Sequence, residues 1–560
     1  MPLEVTVLMS VYNGEKYLQE SIESILNQTF SDFEFLIIND GSTDSSRDII
    51  LSYFDNRIKL IDNKENIGLS KSLNIGIHRA KGKYIARQDA DDISHLERLE
   101  KEIHFLSSKP GYAAVGCSIN IIDKKSKIKG SIQKPISNES IHNTLKQNNC
   151  IAHGSVLMKK RCLFEVDLYD ESLGAAQDYD LFMRLSEKYK LANLPDLLYC
   201  WRNLKSNVSN RNRQLQNLCV KISQDKSWRR KYSTFKDLNT RSTNSPSYPK
   251  PLFSVLMANY NNENYVREAI QSVIDQTFKN WELIIVDDFS EDKSVQIISE
   301  FLDNNRIHFT RNKQNIGYIA TLEKLIRMSN ANVFGILDSD DVLFRDSLEI
   351  MYNKHNKYPD FGLIHSQFMF CDIDLKPISL GFSQMIPKGS SNLINSHSCA
   401  FRTYKKDFFN RTEGFDEKIL YAEDWDMVFK MEEVAPILFV DRILYKHRIR
   451  QNSQSNDPLK KRIGHLSYSL AKYKAYQRRA GTGIPTLSRN AMSIELFKAF
   501  VLSLGLYKWR EARSCFKEAV KLNPFLLMSL FGYSFGKTVL KVKRHFDPNY
   551  QSPFPAFSRP

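Results

Sequence analysis

The feature that most constrains the fold of this 560-residue chain is an internal repeat. Residues 5–44 (VTVLMSVYNGEKYLQESIESILNQTFSDFEFLIINDGSTD) align without a gap with residues 253–292 (FSVLMANYNNENYVREAIQSVIDQTFKNWELIIVDDFSED), and 18 of the 40 aligned positions are identical. The copies begin 248 residues apart, far more than the roughly 20–50-residue period of a solenoid array. The sequence therefore predicts two copies of one globular domain in tandem.

Within each copy, short apolar runs alternate with helical patterns. Val5–Val11 and Phe33–Ile38 are apolar runs that end in polar turns, which is typical of buried parallel strands, and Glu15–Asn27 between them has apolar residues at helical spacing. This alternation predicts an α/β fold with right-handed βαβ units and a mostly parallel, Rossmann-like sheet. Ligands of such sheets bind at the carboxyl ends of the strands, where Asn13 and Asp40 fall. The matching residues of the second copy are Asn261 and Asp288.

The repeat and the composition around it predict four segments. We place the first domain at residues 1–228 and the second at 253–456, joined by a linker at 229–252 that carries no apolar periodicity. Residues 457–560 are predicted to form an α-helical C-terminal region. Its apolar stretch Pro524–Phe535 is followed by basic residues, a pattern that fits a helix lying on a membrane surface and equally a core helix.

The net charge of +15 suits an anionic partner, such as nucleic acid, a phospholipid surface or a diphosphate substrate. The basic residues are dispersed and no nucleic-acid recognition motif accompanies them, so we expect no nucleic-acid partner. Neither a signal peptide nor an apolar run long enough to span a membrane is present in the sequence, and the eight cysteines form no CxxC pair. We therefore expect a cytoplasmic protein, which the C-terminal region could hold on the inner face of the plasma membrane.

Each copy carries three carboxylates within four residues, directly after an apolar strand. These acidic loops are residues 89–92 (Asp-Ala-Asp-Asp) and residues 338–341 (Asp-Ser-Asp-Asp). Neighbouring carboxylates repel one another unless a cation lies among them, and oxygen ligands favour Mg²⁺ or Mn²⁺, which often also bind substrate phosphates. A single acidic cluster is more often a solvated loop, but its recurrence at the same place in both copies favours a metal site.

The combined motifs resemble the inverting glycosyltransferases of family 2, which have the GT-A fold. The shared features are the Tyr-Asn turn, the helix ending in Gln-Thr-Phe, the strand-end aspartate, Asn-Ile-Gly and Asp-x-Asp-Asp, over about residues 3–210 and 252–456. The resemblance implies a bacterial, metal-dependent hexosyl- or N-acetylhexosaminyltransferase of cell-surface polysaccharide synthesis. The implied partners are a nucleotide-diphosphate sugar donor, expected to be UDP-linked, and a glycan or lipid-linked oligosaccharide acceptor.

The resemblance also implies roles for individual residues. Asp40 and Asp288 would bind the uracil or ribose side of the nucleotide. The complete set of implied nucleotide-sugar-binding residues is Asn13, Asp40, Asp89, Asn261, Asp288, Asp338, Arg448 and Arg450. The last aspartate of each Asp-x-Asp motif, Asp91 or Asp340, would hold Mn²⁺ or Mg²⁺ against the diphosphate.

The family places its catalytic base in a Glu-Asp pair at a helix start, which corresponds here to Asp178 and Asp424. Alternatively, these carboxylates only complement the helix dipole. His153 and His397 precede them and are either donor or acceptor contacts or structural histidines. In the first copy Gln177 replaces the expected Glu and Leu204 replaces an expected His. We therefore predict either two active domains or a non-catalytic first domain that binds acceptor or serves as a scaffold.

Overall fold

The computed structural model describes residues 3–204, 213–233, 251–450 and 457–524. The chain divides into two compact units, Met1–Thr243 and Asn244–Pro560. The strands of the first unit are β1 (Val5–Val11), β2 (Phe33–Asn39), β3 (Ile58–Asp62), β4 (Tyr84–Asp89), β5 (Ile93–Ser94), β6 (Tyr112–Ile122), β7 (Ile128–Ile132), β8 (Leu157–Lys159) and β9 (Lys190–Arg202). Its helices are α1 (Leu18–Leu26), α2 (Ser46–Leu51), α3 (Leu69–Arg79), α4 (Arg98–Ser108), α5 (Asn138–Leu145), α6 (Lys160–Phe164), α7 (Gln177–Lys188) and α8 (Arg213–Ser233).

The strands of the first unit form one mixed sheet in the order β3-β2-β1-β4-β8-β6-β9-β5, with β7 paired to β6. Strands β1 to β4 are parallel, and β2 is buried along its length because helices cover both faces of this half. The predicted α/β class is confirmed. The sheet is less parallel than predicted, because β8 runs antiparallel to β4 and β6, and β7 forms a hairpin with β6 through a short turn.

The second unit repeats this architecture. Its strands are β10 (Phe253–Asn259), β11 (Trp281–Asp287), β12 (Ile307–Arg311), β13 (Val333–Ile336), β14 (Val342–Leu343), β15 (Leu363–Cys371), β16 (Pro377–Leu380), β17 (Arg402–Lys405) and β18 (Ile437–Arg448). Its helices are α9 (Val266–Ile274), α10 (Ser294–Ser299), α11 (Tyr318–Met328), α12 (Ser347–Lys357), α13 (Lys406–Phe409), α14 (Glu423–Val434), α15 (Pro458–Arg478), α16 (Arg489–Gly505) and α17 (Trp509–Leu522). The sheet order β12-β11-β10-β13-β17-β15-β18-β14, with β16 paired to β15, matches that of the first unit strand by strand.

In both units a trailing helix packs on the helix that precedes the last long strand. In the first unit α8 packs on α7, and Arg230 pairs with Glu187 at 2.7 Å. In the second unit α15 packs on α14, and Arg478 pairs with Glu433 at 2.7 Å. The repeated unit therefore includes this helix. Helix α8 runs to Ser233, into the predicted linker, and α15 lies in the predicted C-terminal region.

The last two described helices, α16 and α17, pack against each other through Met492, Leu496 and Ala519. Within the described ranges, no helix combines the length and apolar character needed to cross a membrane. The predicted interfacial stretch Pro524–Phe535 lies outside the described residues except for Pro524.

Candidate active site

The predicted site residues of the first unit collect at the carboxyl edge of its parallel strands. Strand β1 pairs with both β2 and β4, so the turns that follow these three strands meet at one edge. Asn13 follows β1, Asp40 follows β2, and Asp89 is the last residue of β4, opposite Ser10. The second unit brings the turns after β10, β11 and β13 together in the same way.

The strand-end aspartates organise the Asn-Ile-Gly turn. Asp40 is buried and accepts hydrogen bonds from the backbone N–H groups of Ile67 at 3.1 Å and Gly68 at 3.0 Å. Gly68 has φ of +91°, a left-handed conformation that a glycine adopts without strain. Asp288 accepts the matching bonds from Ile316 and Gly317, both at 2.9 Å. These carboxylates are thus bonded by the protein itself, and their contact with a nucleotide stays a prediction.

Asn13 and Asn261 join neighbouring turns at the sheet edge. Both have φ of +51°, which asparagine tolerates better than most residues. The Asn13 Oδ1 accepts a hydrogen bond from the backbone N–H of Thr43 at 2.8 Å, and the Asn261 Oδ1 accepts one from that of Glu291 at 2.9 Å. Each asparagine therefore fixes the turn that carries the strand-end aspartate.

The negative charge of the first acidic loop is opposed by two buried arginines, Arg87 and Arg202. The Arg87 guanidinium lies 2.6 Å from Asp89 Oδ1. Burial and the charge of Asp89 raise the pKa of Asp91 to about 6. Asp92 is buried and accepts the backbone N–H of Arg202 at 2.7 Å, so this third carboxylate fastens the loop to β9. The loop presents Asp89 and Asp91, both partly exposed, at the sheet edge.

The second acidic loop is balanced differently. Burial, with the charges of its two neighbouring aspartates, raises the pKa of Asp338 to about 7, and the Tyr318 hydroxyl donates to Asp338 Oδ1 at 3.2 Å. Arg450 pairs with Asp340 at 2.5 Å. His447 Nδ1 lies 3.0 Å from Asp341 Oδ2. Burial acts to lower the pKa of His447, but the acidic loop outweighs it and raises the value to about 9.

The structure places Arg448 beneath the second acidic loop, and its contact with a nucleotide sugar stays a prediction. Arg448 is buried, its Nε donates to the backbone oxygen of Asp340 at 2.8 Å, and its backbone N–H donates to Asp341 Oδ1 at 2.8 Å. Its guanidinium also pairs with Glu268. These contacts anchor the acidic loop from inside the protein, while the Arg450 guanidinium pairs with Asp340 of the Asp-x-Asp motif. A role for His447 was not predicted from the sequence. The available signal was its position directly before Arg448, which matches Arg202 of the first copy.

The candidate bases lie at the starts of matching helices. Asp178, at the start of α7, accepts a hydrogen bond from Asn149 Nδ2 at 2.7 Å. Asp424, at the start of α14, accepts one from the Arg402 guanidinium at 2.9 Å, and its side chain is 45% exposed. Burial, together with the charges of Asp424 and Asp338, raises the pKa of Glu423 to about 7. The structure therefore brings the second acidic loop and the Glu-Asp pair into one cluster.

The two predicted histidines occupy different places. His153 Nε2 lies 2.7 Å from the Tyr169 hydroxyl, and burial with the charge of Arg87 lowers the pKa of His153, although Asp178 and Asp89 oppose this. The two antiparallel strand pairs that follow these histidines are equivalent. In the sheet register, Lys159 of β8 lies opposite Tyr84 of β4, and Lys405 of β17 lies opposite Val333 of β13. Counting back by the same number of residues from Lys159 and from Lys405 aligns His153 with Cys399. His397 is therefore two residues out of register, and its backbone N–H donates to Asn392 Oδ1 at 3.3 Å.

The acidic loops fit a Mg²⁺ or Mn²⁺ ion as a partial ligand set. Among the described residues, no group of three or more His, Cys, Asp or Glu side chains forms a metal cage. Burial and a neighbouring aspartate raise the pKa values of Asp91 and Asp340, and a bound cation would relieve that repulsion. Mg²⁺ commonly binds through one or two carboxylates, with phosphates and water completing its shell. The donors present therefore suit an ion that arrives with a diphosphate.

Fold and site define a tandem α/β protein with an acidic loop at the carboxyl edge of the parallel strands of each sheet. A family model described as Glycosyl transferase family 2 matches residues 6–171 and 254–410, one range in each unit and together more than half of the chain. The chain belongs to glycosyl transferase family 2 and carries two tandem domains of that family.

Similar proteins include an uncharacterized glycosyltransferase of Rickettsia bellii, 29% identical over 406 residues, which cover 66% of this chain and 57% of that protein. The match thus spans less than two thirds of that relative. A chondroitin synthase of Escherichia coli is 23% identical over 495 residues, covering 80% of this chain and 71% of that protein. Among solved structures, S. aureus TarS 1–349 in complex with UDP matches with 15% identity and a TM-score of 0.34, covering 48% of this chain and 90% of that one.

Proposed function

We propose that each domain transfers a sugar, with inversion at the anomeric carbon, from a nucleoside-diphosphate donor to a hydroxyl group of a growing glycan. The observation that carries this proposal is the cluster of the second unit, where Asp338 and Asp424 both raise the pKa of Glu423. A nucleotide-binding sheet edge and a helix-start carboxylate thus lie beside each other. The resemblance described from the sequence favours a UDP-linked donor.

In this mechanism Asp424 accepts the proton of the acceptor hydroxyl as that oxygen attacks the anomeric carbon, while the bond to the diphosphate oxygen breaks. Arg402 holds Asp424 Oδ2 at 2.9 Å, and the backbone N–H of Trp425 holds Oδ1 at 2.8 Å. In the first domain Asn149 positions Asp178 for the same step. A Mn²⁺ or Mg²⁺ ion bound at Asp91 or Asp340 would neutralise charge on the departing diphosphate.

The product we propose is a polysaccharide of the bacterial cell surface. The chondroitin synthase of E. coli matches over 80% of this chain, across both domains. A chain with two transferase sites can add two sugars in succession or in alternation. The acceptor we propose is accordingly a glycan or a lipid-linked oligosaccharide.

A second candidate function follows from the differences between the domains. When the ends of β9 and β18 are aligned at Arg202 and Arg448, Leu204 occupies the place of Arg450, and Trp201 occupies the place of His447. The first acidic loop therefore has other side chains at the two places from which Arg450 and His447 reach the second loop. This favours a first domain that binds acceptor glycan or serves as a scaffold while only the second domain transfers sugar.

We further propose a cytoplasmic location with peripheral contact to the inner leaflet through residues beyond 524. The basic residues that follow Phe535 in the sequence support this contact. Flotation of the full chain with anionic liposomes, compared with a chain truncated after residue 524, tests it. Equal flotation of the two chains would contradict it.

The experiment that tests the proposed function measures nucleoside-diphosphate release. The wild-type protein is incubated with Mn²⁺ and a panel of UDP- and GDP-sugars, with and without a glycan acceptor. Asp178→Asn and Asp424→Asn variants are run in parallel, because each should remove the base of one domain only. Release from a UDP-sugar that falls in one or both variants supports the proposal. Absence of release from every donor by the wild-type protein would contradict it.

A further inference from the structure

We propose that Tyr421, together with Trp425 and Tyr468, forms an aromatic platform that binds a sugar ring of the acceptor in the second domain. The inference rests on the proposed transferase function of that domain and deepens it, because it names the surface on the acceptor side of Asp424. Four observations carry it: the backbone of Tyr421, the position of Asp424, the packing of α15, and the contrast with the first domain.

Tyr421 combines a costly backbone conformation with an exposed ring. Its φ is +61°, in the left-handed region that bulky side chains rarely adopt, and the residue is 41% exposed. Such strain persists only where the surrounding structure imposes it. The partner here is Gly464 of α15: a Cβ atom at Gly464 would lie 3.1 Å from the Tyr421 carbonyl oxygen and 3.3 Å from its Cβ. Helix α15 therefore has a glycine at the point where Tyr421 rests on it.

The platform lies on one flank of the candidate base. Tyr421 is in the turn that leads into α14, three residues before Asp424. Burial raises the pKa values of Tyr318 and Tyr468, and the charge of Asp424 adds to the effect in both. Tyr318 belongs to the nucleotide side, since it bonds Asp338. Arg402, which bonds Asp424 Oδ2 at 2.9 Å, also lies over the Trp425 ring, so Asp424 is linked to the aromatic residues through this arginine.

Helix α15 holds its part of the platform firmly. The rings of Tyr468 and Trp425 meet edge to face with centroids 5.9 Å apart, and Tyr468 also bonds the Ser396 hydroxyl. At the far end of the helix, Arg479 pairs with Glu432 at 2.9 Å. Both rings of the pair are partly exposed. The aromatic pair is thus fixed in place before any ligand arrives.

The first domain differs at the positions that match Tyr421 and Trp425. Counting back from the two helix-start aspartates, Ala175 stands at the position of Tyr421, and Tyr179 stands at the position of Trp425. Both residues are buried, and the Tyr179 hydroxyl donates to the carbonyl oxygen of Leu145. The acceptor sides of the two domains are therefore chemically different, as two domains that extend different glycan ends would require.

A pyranose ring is the ligand that this surface suits. One face of such a ring presents C–H groups, while its rim presents hydroxyl groups. Tyrosine and tryptophan offer the matching combination, an apolar face with a polar group at its edge. Binding sites for small molecules are lined largely by such side chains, with a few polar groups that set orientation. Arg402, whose guanidinium lies over the Trp425 ring at 5.4 Å from its centroid, supplies a cation at the same place.

Saturation-transfer NMR on the full chain, with UDP present, tests the platform. The probes are the methyl β-glycosides of glucose, galactose, N-acetylglucosamine, N-acetylgalactosamine and glucuronic acid. The wild-type protein and Tyr421→Phe should both transfer saturation to the ring protons of at least one glycoside, because both keep the aromatic ring. Tyr421→Gly should reduce that transfer about tenfold, a loss typical of one aromatic stacking contact.

Tyr507→Gly is the matched control, because Tyr507 has φ of +58° and is 81% exposed in the turn between α16 and α17. It should change the melting temperature as little as Tyr421→Gly does, yet leave saturation transfer unchanged. Equal transfer in Tyr421→Gly and the wild-type protein, or no transfer to any glycoside in the wild-type protein, would overturn the proposal. The proposed function is tested separately, by nucleoside-diphosphate release from the wild-type protein.

Discussion

Arg87 and Asp89 form an ion pair at the end of β4, with the guanidinium nitrogen 2.6 Å from Asp89 Oδ1 and the arginine side chain buried. The second domain has Ile336 and Asp338 at the matching positions, and there Tyr318 and Arg450 approach the acidic loop instead. The two domains thus use different side chains to balance the same cluster of carboxylates. This difference decides how each cluster should respond to mutation and to a cation.

Arg87→Ile, which copies the second domain, should lower the free energy of unfolding of the first unit by about 2–3 kcal/mol. The change removes a charged hydrogen bond and leaves three neighbouring aspartates without that cation. Added Mn²⁺ should raise the melting temperature of this variant more than that of the wild-type protein, because the ion replaces the missing charge. Thermal unfolding with and without Mn²⁺ measures both effects, with Arg87→Lys as the conservative control. Identical melting curves for Arg87→Ile and the wild-type protein would contradict the account.

The arginines at the ends of the two trailing helices should contribute unequally to the free energy of unfolding. Arg479 is fully buried and pairs with Glu432 and Glu433, so Arg479→Met should cost about 3–5 kcal/mol, chiefly because Glu432, whose side chain is only 12% exposed, loses its cation while Glu433 keeps Arg478. Arg230 is 36% exposed, so Arg230→Met should cost only about 1 kcal/mol. Urea unfolding of both variants measures the difference. A larger loss in Arg230→Met than in Arg479→Met would refute the assignment.

Glu102 makes the first unit sensitive to high pH. Burial raises the pKa of Glu102 to about 8, although Arg98, 3.9 Å away, acts against it. The unfolded chain loses this proton near the usual pKa of 4.5 and the folded chain keeps it to about 8, so stability falls as pH rises between these values. The slope should reach about 1.4 kcal/mol per pH unit. Glu102→Gln should remove that slope in urea titrations from pH 5 to pH 8, and a slope unchanged by the variant would argue against the assignment.

Two buried histidines should make the second unit lose stability in acid. Burial lowers the pKa values of His355 and His365 to about 3, so both are neutral in the folded protein. The unfolded chain binds protons below the usual value of 6.5, and therefore stability is lost as pH falls from 6.5 towards 3. Each histidine should contribute a slope of up to about 1.4 kcal/mol per pH unit. His355→Leu, which copies Leu106 of the first domain, and His365→Phe should each reduce the loss of unfolding free energy below pH 6.5, as measured by urea unfolding. The same acid dependence in the double variant would show that other groups are responsible.

The sequence predicts the parts of this architecture that local patterns encode. Apolar runs and helical spacing located β1, β2 and α1, and the repeat predicted the duplicated α/β fold. The acidic loops were found because their carboxylates are adjacent in the chain. In each case the signal lies within a few residues of the feature.

Features that depend on distant pairs were not predictable in this way. The contact of His447 with Asp341 joins residues 106 positions apart. The buried Arg448 contacts Glu268, 180 positions away. The register of His397 depends on an antiparallel strand pair, β13 with β17, that no local pattern shows. The sheet was predicted as mostly parallel for the same reason, because its antiparallel strands are short and lack a strong alternating pattern.

The central claim is that the chain carries two separate nucleotide-sugar sites. Asp91→Asn and Asp340→Asn test it most directly, with Asp374→Asn, an exposed aspartate in the turn between β15 and β16, as the control. Each site variant should lower one of two sugar transfers by at least about 100-fold, because an aspartate that holds the metal contributes several kcal/mol to the transition state. The other transfer and the control should keep wild-type rates. Product analysis that shows every transfer unchanged in Asp91→Asn, or unchanged in Asp340→Asn, would contradict two active sites.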